Sequence, residues 1–232
     1  MITETLSPEL LGQLRKLSTC VVASAIETFD VRLRNTGFAD SSVRCIFPEL
    51  PQLVGYAATA RIRSADPPME GRSYYARPEL WRHIQTIPEP RVVVVQDVDS
   101  RPGLGAFVGE VHASILVALG CVGIVTNGAV RDLPAVQAAG FQMFAGNVSV
   151  SHAYAHVFDF GCNVEVGGLT VKPGDLIQGD LHGVQTIPRE IAARVPAAAN
   201  DILRKRLALI EMCRSSDFAL EKLRDVLKRW ES

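Results

Sequence analysis

Two loops of the sequence carry side chains that suit the binding of a small acid. Gly109 and Glu110 stand at the start of a predicted helix, and Arg131 and Asp132 follow an apolar run. A guanidinium can grip a carboxylate through two parallel hydrogen bonds, and a carboxylate is a preferred ligand of hard divalent cations. If the strands before these loops are neighbours, Glu110 faces Arg131 and Asp132 across a small pocket. Such a pocket would favour Mg²⁺ or Mn²⁺ over zinc, because it offers carboxylates rather than nitrogen or sulfur ligands.

A structural interpretation of the second loop stays open. Asp132 precedes Leu133 and Pro134, which is the pattern of a helix N-cap followed by a proline in the first turn. Arg131 would then be a solvated surface residue. The functional interpretation assigns the guanidinium to a ligand carboxylate and Asp132 to the cation.

A glycine-rich segment runs from Gly103 to Gly109, between a predicted strand and a predicted helix. Dinucleotide-binding fingerprints occupy this position, but the spacing here is one residue too long. The next strand also ends in Thr126 and Asn127, where such sites carry an acid. We therefore predict a tight strand-to-helix turn, whose free amides at the helix N-terminus can hold a small anion.

Apolar runs and helical patterns alternate around these loops. Strands are predicted at 91–98, 121–128 and 141–145, with helices at about 110–119 and 133–139, which indicates parallel pairing with right-handed crossovers. Earlier elements are two helices, of which the first is capped at Ser7 and the second spans 19–29, then a strand at 54–63, a loop at 65–78 and a helix at 79–87.

The pattern changes in the last third of the chain. Residues 155–187 read as short β segments joined by Gly-Gly, Pro-Gly and His-Gly turns. After Pro188 the pattern is helical, and the last helix carries an apolar stripe that could pack on a neighbouring subunit or on its own core. The stripe comprises Phe218, Leu220, Leu223, Val226, Leu227 and Trp230. We interpret residues 1–232 as a single domain with a core at about 15–195 and a helical extension at 196–232.

Composition excludes several classes of protein. The chain has 232 residues and a formal net charge of −1, so no overall field attracts nucleic acid or an acidic membrane. Its five cysteines are an odd number without a C-x-x-C pair, which argues against a disulfide framework. The start resembles no secretory signal, and no apolar run approaches ~20 residues. We expect a cytoplasmic protein that does not enter a membrane.

Other residues that could do chemistry have simpler explanations. His152 and His156 would form a metal-binding pair on a helix, but the segment fits a strand better, with an interface or the distal substrate pocket as possible places. Lys172 lies in a Lys-Pro-Gly-Asp turn and is more typical of a solvated lysine than of a Schiff base. His112 could touch a ligand or lie on the helix surface. The cysteines show no activating neighbour and are interpreted as core or incidental residues.

The spacing of the two loops resembles that of a known family. Glu110, twenty further residues and then Arg131-Asp132, within residues 109–141, resembles the RraA-like family, and residues 163–188 are similar to its C-terminal β region. Members include 4-hydroxy-4-methyl-2-oxoglutarate aldolases, which also decarboxylate oxaloacetate, and the RraA regulators of ribonuclease E. The family often has Asp-Gly where this chain has Asn127-Gly128.

The resemblance implies a fold and a set of roles. The fold is α/β, a layered β/β/α sandwich of the swivelling-domain type with helical N- and C-terminal segments, assembled as a homotrimer or hexamer. Asp132 would hold the divalent metal, and Glu110 would order its waters and assist proton transfer. The pyruvyl carboxylate and carbonyl would be bound by Arg131 and by the amides of Gly109, Glu110, Val111 and His112.

Two functions follow from the resemblance. The first is a metal-dependent carbon–carbon lyase, a class II-type aldolase or decarboxylase that cleaves a short 4-substituted 2-oxo acid to give pyruvate. The second is a non-enzymatic regulator that binds a protein partner. Because regulators in the family tend to lack the aspartate after the arginine, Asp132 favours the lyase.

Overall fold

The computed structural model describes residues 5–68 and 78–231, with side chains through residue 228. The helices are α1 (Pro8–Arg15), α2 (Thr19–Glu27), α3 (Pro78–Thr86), α4 (Glu110–Ala118), α5 (Leu133–Ala138), α6 (Val195–Arg214) and α7 (Leu220–Glu231). The strands are β1 (Arg44–Cys45), β2 (Leu53–Arg63), β3 (Arg91–Asp97), β4 (Ala106–Val108), β5 (Cys121–Val130), β6 (Gln142–Val148), β7 (His156–Phe160), β8 (Val164–Val166), β9 (Leu169–Val171), β10 (Leu176–Asp180) and β11 (Gly183–Ile187). Most of the predicted loop at 65–78 lies outside the described residues.

A nine-stranded sheet forms the centre of the fold. Its order is β1-β6-β5-β3-β2-β10-β11, with β4 paired to β5 and β7 paired to β2. Strands β2, β3, β5 and β6 run parallel, whereas β10, β11 and β7 pair antiparallel. The predicted α/β class is confirmed, and the β segments of the last third join this sheet, apart from the β8–β9 hairpin.

Strand β3 shows why a continuous apolar run is needed at the centre of this sheet. Val93 and Val95 enter one buried cluster, and Val92 and Val94 enter a second cluster on the other face. All four valines are buried, as expected for a parallel strand covered on both sides.

The N-terminal helices are positioned by caps and by a buried polar cluster. Ser7 and Ser18 accept amide hydrogen bonds at the starts of α1 and α2, which confirms the predicted cap at Ser7. Asp180, at the end of β10, accepts the Thr19 amide at 2.8 Å and the Thr19 hydroxyl at 2.7 Å. It also accepts the amide of His182 at 2.8 Å. The start of α2 is therefore bonded directly to the sheet.

Of the two C-terminal helices, α6 joins the main core near its start, through Val195 and Ala199. Helix α6 packs on α2 near its start, and α7 packs on α6. Phe218, Leu220 and Leu227 of the predicted apolar stripe are exposed, so the expectation that this stripe covers its own core is wrong for these residues. Packing on a neighbouring subunit stays a prediction. None of the helices in the described ranges is long and apolar enough to cross a bilayer.

The glycine-rich segment differs from the prediction in one respect. It is not a single strand-to-helix turn, because Ala106–Val108 form strand β4 within it. This strand pairs in parallel with the end of β5, through Ala106 with Ala129 and Val108 with Val130. Glycine spacing alone gave no signal for so short a strand, which is held by its pairing to β5.

Candidate functional site

Strands β4 and β5 bring the two predicted loops together. Because they run parallel and end at Val108 and Val130, both chains leave the sheet at the same edge. The amide of Arg131 then donates to the carbonyl of Val108 at 3.0 Å. Parallel sheets place ligands at this carboxyl edge. The predicted strands at 91–98 and 121–128, which the structure shows as β3 and β5, are also parallel neighbours, as assumed from the sequence.

Asp132 reaches across to the start of helix α4. Its Oδ2 accepts the backbone N–H of Glu110 at 3.0 Å. Gly109 occupies the N-cap position of α4 and has no side chain to cap it, so Asp132 satisfies one of the free amides. The contact involves the main chain of Glu110, whose side chain is exposed.

The backbone of Asp132 adopts a conformation that few non-glycine residues use. Its φ is 56° and its ψ is 38°, in the left-handed region. It stands at the N-cap position of α5, as the structural interpretation predicted, but its side chain forms no cap bond to that helix. The side chain serves the neighbouring loop instead, and residues held in such conformations cluster at functional sites.

Gly109 leaves the space that this arrangement needs. A Cβ atom there would lie 2.3 Å from Oδ2 of Asp132 and 2.9 Å from Cγ of Arg131. The φ of Gly109 is −132°, which any residue can adopt, so the requirement is for space and not for backbone freedom. Only glycine lets Asp132 and Arg131 approach the start of α4 this closely.

Arg131 lies beside Asp132 with its side chain about one quarter exposed. Its Nε is 3.4 Å from Oδ2 of Asp132. Within residues 5–68 and 78–231 this buried nitrogen has no hydrogen-bond acceptor. A guanidinium in this state can bind a carboxylate without first breaking strong protein contacts.

The first turn of α4 offers backbone donors next to these side chains. In the part of the chain that the structure describes, no acceptor pairs with the amide of Val111. The positive end of the helix dipole favours an anion there. The side chain of His112 is buried, with Nδ1 2.7 Å from the carbonyl of Phe107, so the helix-surface expectation is wrong. The predicted ligand-binding role of its amide stays a prediction.

The donor set near Asp132 fits a hydrated hard cation. No described group donates a hydrogen bond to Oδ1 of Asp132, and the whole side chain is 40% exposed. Among the described residues, no group of three or more histidine, cysteine, aspartate or glutamate side chains is arranged to hold a metal ion. Mg²⁺ often keeps several waters and accepts one or two carboxylates, whereas a structural zinc site needs four protein ligands.

Sequence reasoning missed Asp97, the last residue of β3. Its buried carboxylate accepts the amide of Gly103 at 2.9 Å and that of Asp99 at 3.1 Å, and so fixes the loop that leads to β4. Burial raises the pKa of Asp97, and the two amide hydrogen bonds oppose that shift. An aspartate closing an otherwise apolar strand is the signal that could have indicated it.

The remaining candidates are not brought to this site. His156 begins β7 and His152 lies in the preceding loop, which confirms the strand interpretation and excludes a helical pair. Lys172 is exposed in its turn. All five cysteines are free thiols, and burial raises the pKa of Cys121 to about 12.

Comparison with known proteins identifies the family to which the chain belongs. The family model described as RraA-like, Aldolase/RraA, matches residues 19–185. A protein of Halalkalibacterium halodurans named "Putative 4-hydroxy-4-methyl-2-oxoglutarate aldolase" is 29% identical over 142 residues, which are 61% of this chain. The matched segment spans 62% of that relative's length.

Solved structures share the fold at low sequence identity. An uncharacterized protein from Pseudomonas syringae pv. tomato has a TM-score of 0.72 and 21% identity, covering 97% of this chain and 96% of its own. RraAS2 of Streptomyces coelicolor, described as an unusual member of the RNase ES inhibitor RraA protein family, has a TM-score of 0.68 and 21% identity. It covers 91% of this chain and 99% of its own. With the family model matching most of its length, the chain belongs to the RraA-like family.

Proposed function

We propose that this protein is a divalent-metal-dependent carbon–carbon lyase that cleaves a short 4-substituted 2-oxo acid to give pyruvate. Oxaloacetate and 4-hydroxy-4-methyl-2-oxoglutarate are the substrates to test first. The name of the Halalkalibacterium relative and the family match support this reaction class. The proposal includes assembly as a homotrimer or hexamer in the cytoplasm.

One observation carries the proposal. Asp132 is held in a left-handed conformation with one carboxylate oxygen bonded to Glu110 and the other without a described partner. Beside it stand the guanidinium of Arg131 and the amide of Val111. A carboxylate for a cation and two kinds of donor for an anion therefore meet at one sheet edge.

These donors suit the pyruvyl end of a 2-oxo acid. Arg131 would bind the C1 carboxylate, and the amides at the start of α4 would orient the carboxylate and the keto oxygen. Fixing this end leaves the C3–C4 bond at the mouth of the site, where the bond that breaks can align with the keto π system.

Asp132 would hold Mg²⁺ or Mn²⁺, which when bound polarises the keto oxygen and stabilises the negative charge that develops on it. The exposed carboxylate of Glu110 is the proposed acid–base group. In an aldol substrate it would accept the proton of the 4-hydroxyl, and in both substrates it would help to deliver a proton to C3 after the bond breaks.

The test is pyruvate release from both substrates, coupled to lactate dehydrogenase. We expect turnover with Mg²⁺, loss of turnover in excess EDTA and recovery when Mg²⁺ is restored. Asp132→Ala should lower kcat/KM by at least about 100-fold, the upper end of what supporting residues around a metal contribute.

A matched control is available in Asp30. This exposed aspartate also has a positive φ, 50° against 56° for Asp132, so Asp30→Ala makes the same chemical change on a similar backbone. We expect Asp30→Ala to keep wild-type turnover. If neither substrate is cleaved under any metal condition, the lyase proposal fails and a regulator that binds a protein partner becomes the better account.

A further inference from the structure

Strand β5 contains an irregularity shortly before its end, which Arg131 and Asp132 directly follow. Its pairing with β6 shifts between Thr126 and Ala129, so that Asn127 and Gly128 oppose the single residue Gly146. This is a β-bulge, which bends a strand and can re-aim the residues that follow it. A Cβ on Gly146 would lie 2.4 Å from the carbonyl oxygen of Asn127, so a larger residue at 146 would collide with the bulge.

The side chain of Asn127 holds this bulge against β3. Its Oδ1 accepts the backbone amide of Asp97 at 2.8 Å, and its Nδ2 donates to the carbonyl of Asp97 at 2.9 Å. Backbone pairing of β3 with β5 ends at Val95 and Thr126, so the two amide bonds continue the ladder where the main chain cannot. The asparagine supplies both a donor and an acceptor, whereas an ionised carboxylate supplies acceptors alone.

The residues after the bulge lead directly to the candidate site. Ala129 and Val130 pair with β4, and the amide of Arg131 is bonded to Val108. Asp132 then holds the amide of Glu110. The direction in which β5 leaves its bulge therefore sets where both site residues lie.

We propose that Asn127 is a positioning residue, whose side-chain amide fixes the β5 bulge and thereby places Arg131 and Asp132 against the start of α4. Its effect on turnover rests on the proposed lyase function, whereas its effect on the Glu110 amide does not. Asn127→Asp would place a negative charge against the Asp97 backbone and would lose the hydrogen bond to the Asp97 carbonyl.

The test uses Asn127→Ala and Asn127→Asp in the full chain. A displacement of the site of about 1 Å can lower turnover ~100-fold, so we expect kcat for oxaloacetate to fall ~10- to 100-fold in Asn127→Ala. The fall should be smaller in Asn127→Asp, which keeps an acceptor for the Asp97 amide. The kcat of Asn127→Asp, divided by that of wild type at the same pH, should rise as the pH falls. The reason is that a protonated carboxyl group can again donate a hydrogen bond to the Asp97 carbonyl. Asn163→Asp, the same change at an exposed position, should match wild type throughout.

Hydrogen exchange gives a second readout that needs no activity. The amide of Glu110 should exchange at least ~10-fold faster in Asn127→Ala, while the Thr19 amide bonded to Asp180 keeps its protection. The proposal would be overturned if Asn127→Ala kept the wild-type kcat and the wild-type exchange rate of the Glu110 amide. It would also be overturned if the exchange rates of all strand amides rose equally. If Asn127→Ala does not fold, the pH dependence and exchange of Asn127→Asp decide. If the wild type cleaves no 2-oxo acid, the function fails but the exchange result still judges the role of Asn127.

Discussion

Asp180 and Asp132 both accept the first backbone amide of a helix to which they do not belong, at opposite edges of the main sheet. Asp180 lies where β10 meets the beginning of β2 and bonds Thr19 of α2, and Asp132 lies beyond the carboxyl end of β5 and bonds Glu110 of α4. The side chain of Asp180 is 5% exposed and that of Asp132 is 40% exposed. One geometry thus occurs in two very different environments.

The difference lies in what each carboxylate has left to bind. Both oxygens of Asp180 are used by the amide and hydroxyl of Thr19 and by the amide of His182. Asp132 uses one oxygen and keeps a strained backbone to do so. A fully bonded buried carboxylate stabilises a fold, whereas a half-bonded exposed one beside an arginine is available to a ligand.

The largest effect that separates the two caps is on stability. Asp180→Ala leaves the amide and hydroxyl of Thr19 as buried donors without an acceptor, each costing ~1–3 kcal/mol. We expect the free energy of unfolding in urea to fall by about 3 kcal/mol, with kcat per folded molecule unchanged. Asp132→Ala should lose only about 1 kcal/mol, the usual cost of a helix cap. Equal losses in the two variants would contradict the comparison.

The next largest effect should be a loss of turnover when the space around Asp132 is filled. Gly109→Ala places a Cβ against Asp132 and Arg131, so kcat/KM for the 2-oxo acid should fall ~10- to 100-fold. Gly12→Ala in α1 is the control, because a Cβ there meets nothing within 4 Å. That control should keep full turnover and gain ~0.5–1 kcal/mol of stability in urea, since alanine favours a helix more than glycine. Normal turnover in Gly109→Ala would show that Asp132 need not approach α4.

A smaller effect is expected from changing the shape of the positively charged side chain at position 131. Arg131→Lys keeps the charge but loses the planar pair of donors, so KM should rise about tenfold while kcat changes less. The measurement is initial rates across substrate concentration with saturating Mg²⁺. A large fall in kcat at unchanged KM would mean that Arg131 acts in the chemical step instead of holding the carboxylate.

The smallest expected effect is the pH dependence of the stability that Asp180 contributes. Burial alone would raise the pKa of Asp180, but the hydrogen bonds from Thr19 and His182 outweigh it and lower that pKa. A lowered pKa means that the ionised form stabilises the fold above the unfolded value of about 3.9, and that this stability is lost as the pH falls through the folded pKa. The difference in unfolding free energy between wild type and Asp180→Asn should therefore shrink below about pH 4. A difference that stays constant down to pH 2 would contradict this assignment.

Much of the fold could be predicted because its signals are local. The four valines of β3, the Ser7 cap and the helical pattern before β5 each carry their own periodicity or capping residue. Strand β4 could not be predicted, because three residues inside a glycine-rich segment become a strand only by pairing with β5. The exposed Leu220 and Leu227 of α7 show that amphipathic spacing does not tell which surface covers a helix.

The candidate site was predictable in its residue types but not in its contacts. The acid and the arginine–aspartate pair identified the two loops, yet Asp132 meets the amide of Glu110 and not its carboxylate. The supporting role of Asn127 depends on Asp97, 30 residues away, which no local pattern reveals. Asp97 itself binds amides only two and six residues away, and an acid at the end of an apolar strand is a local signal for it.

The most direct test of the account is a crystal structure of the full chain with Mn²⁺ and oxalate, an analogue of the pyruvyl end. We predict an anomalous peak at direct coordination distance from Oδ1 of Asp132, with oxalate between the cation, the Arg131 guanidinium and the Val111 amide, and with the Glu110 amide still bonded to Oδ2. A cation bound elsewhere, or oxalate bound away from Arg131 and α4, would contradict the account.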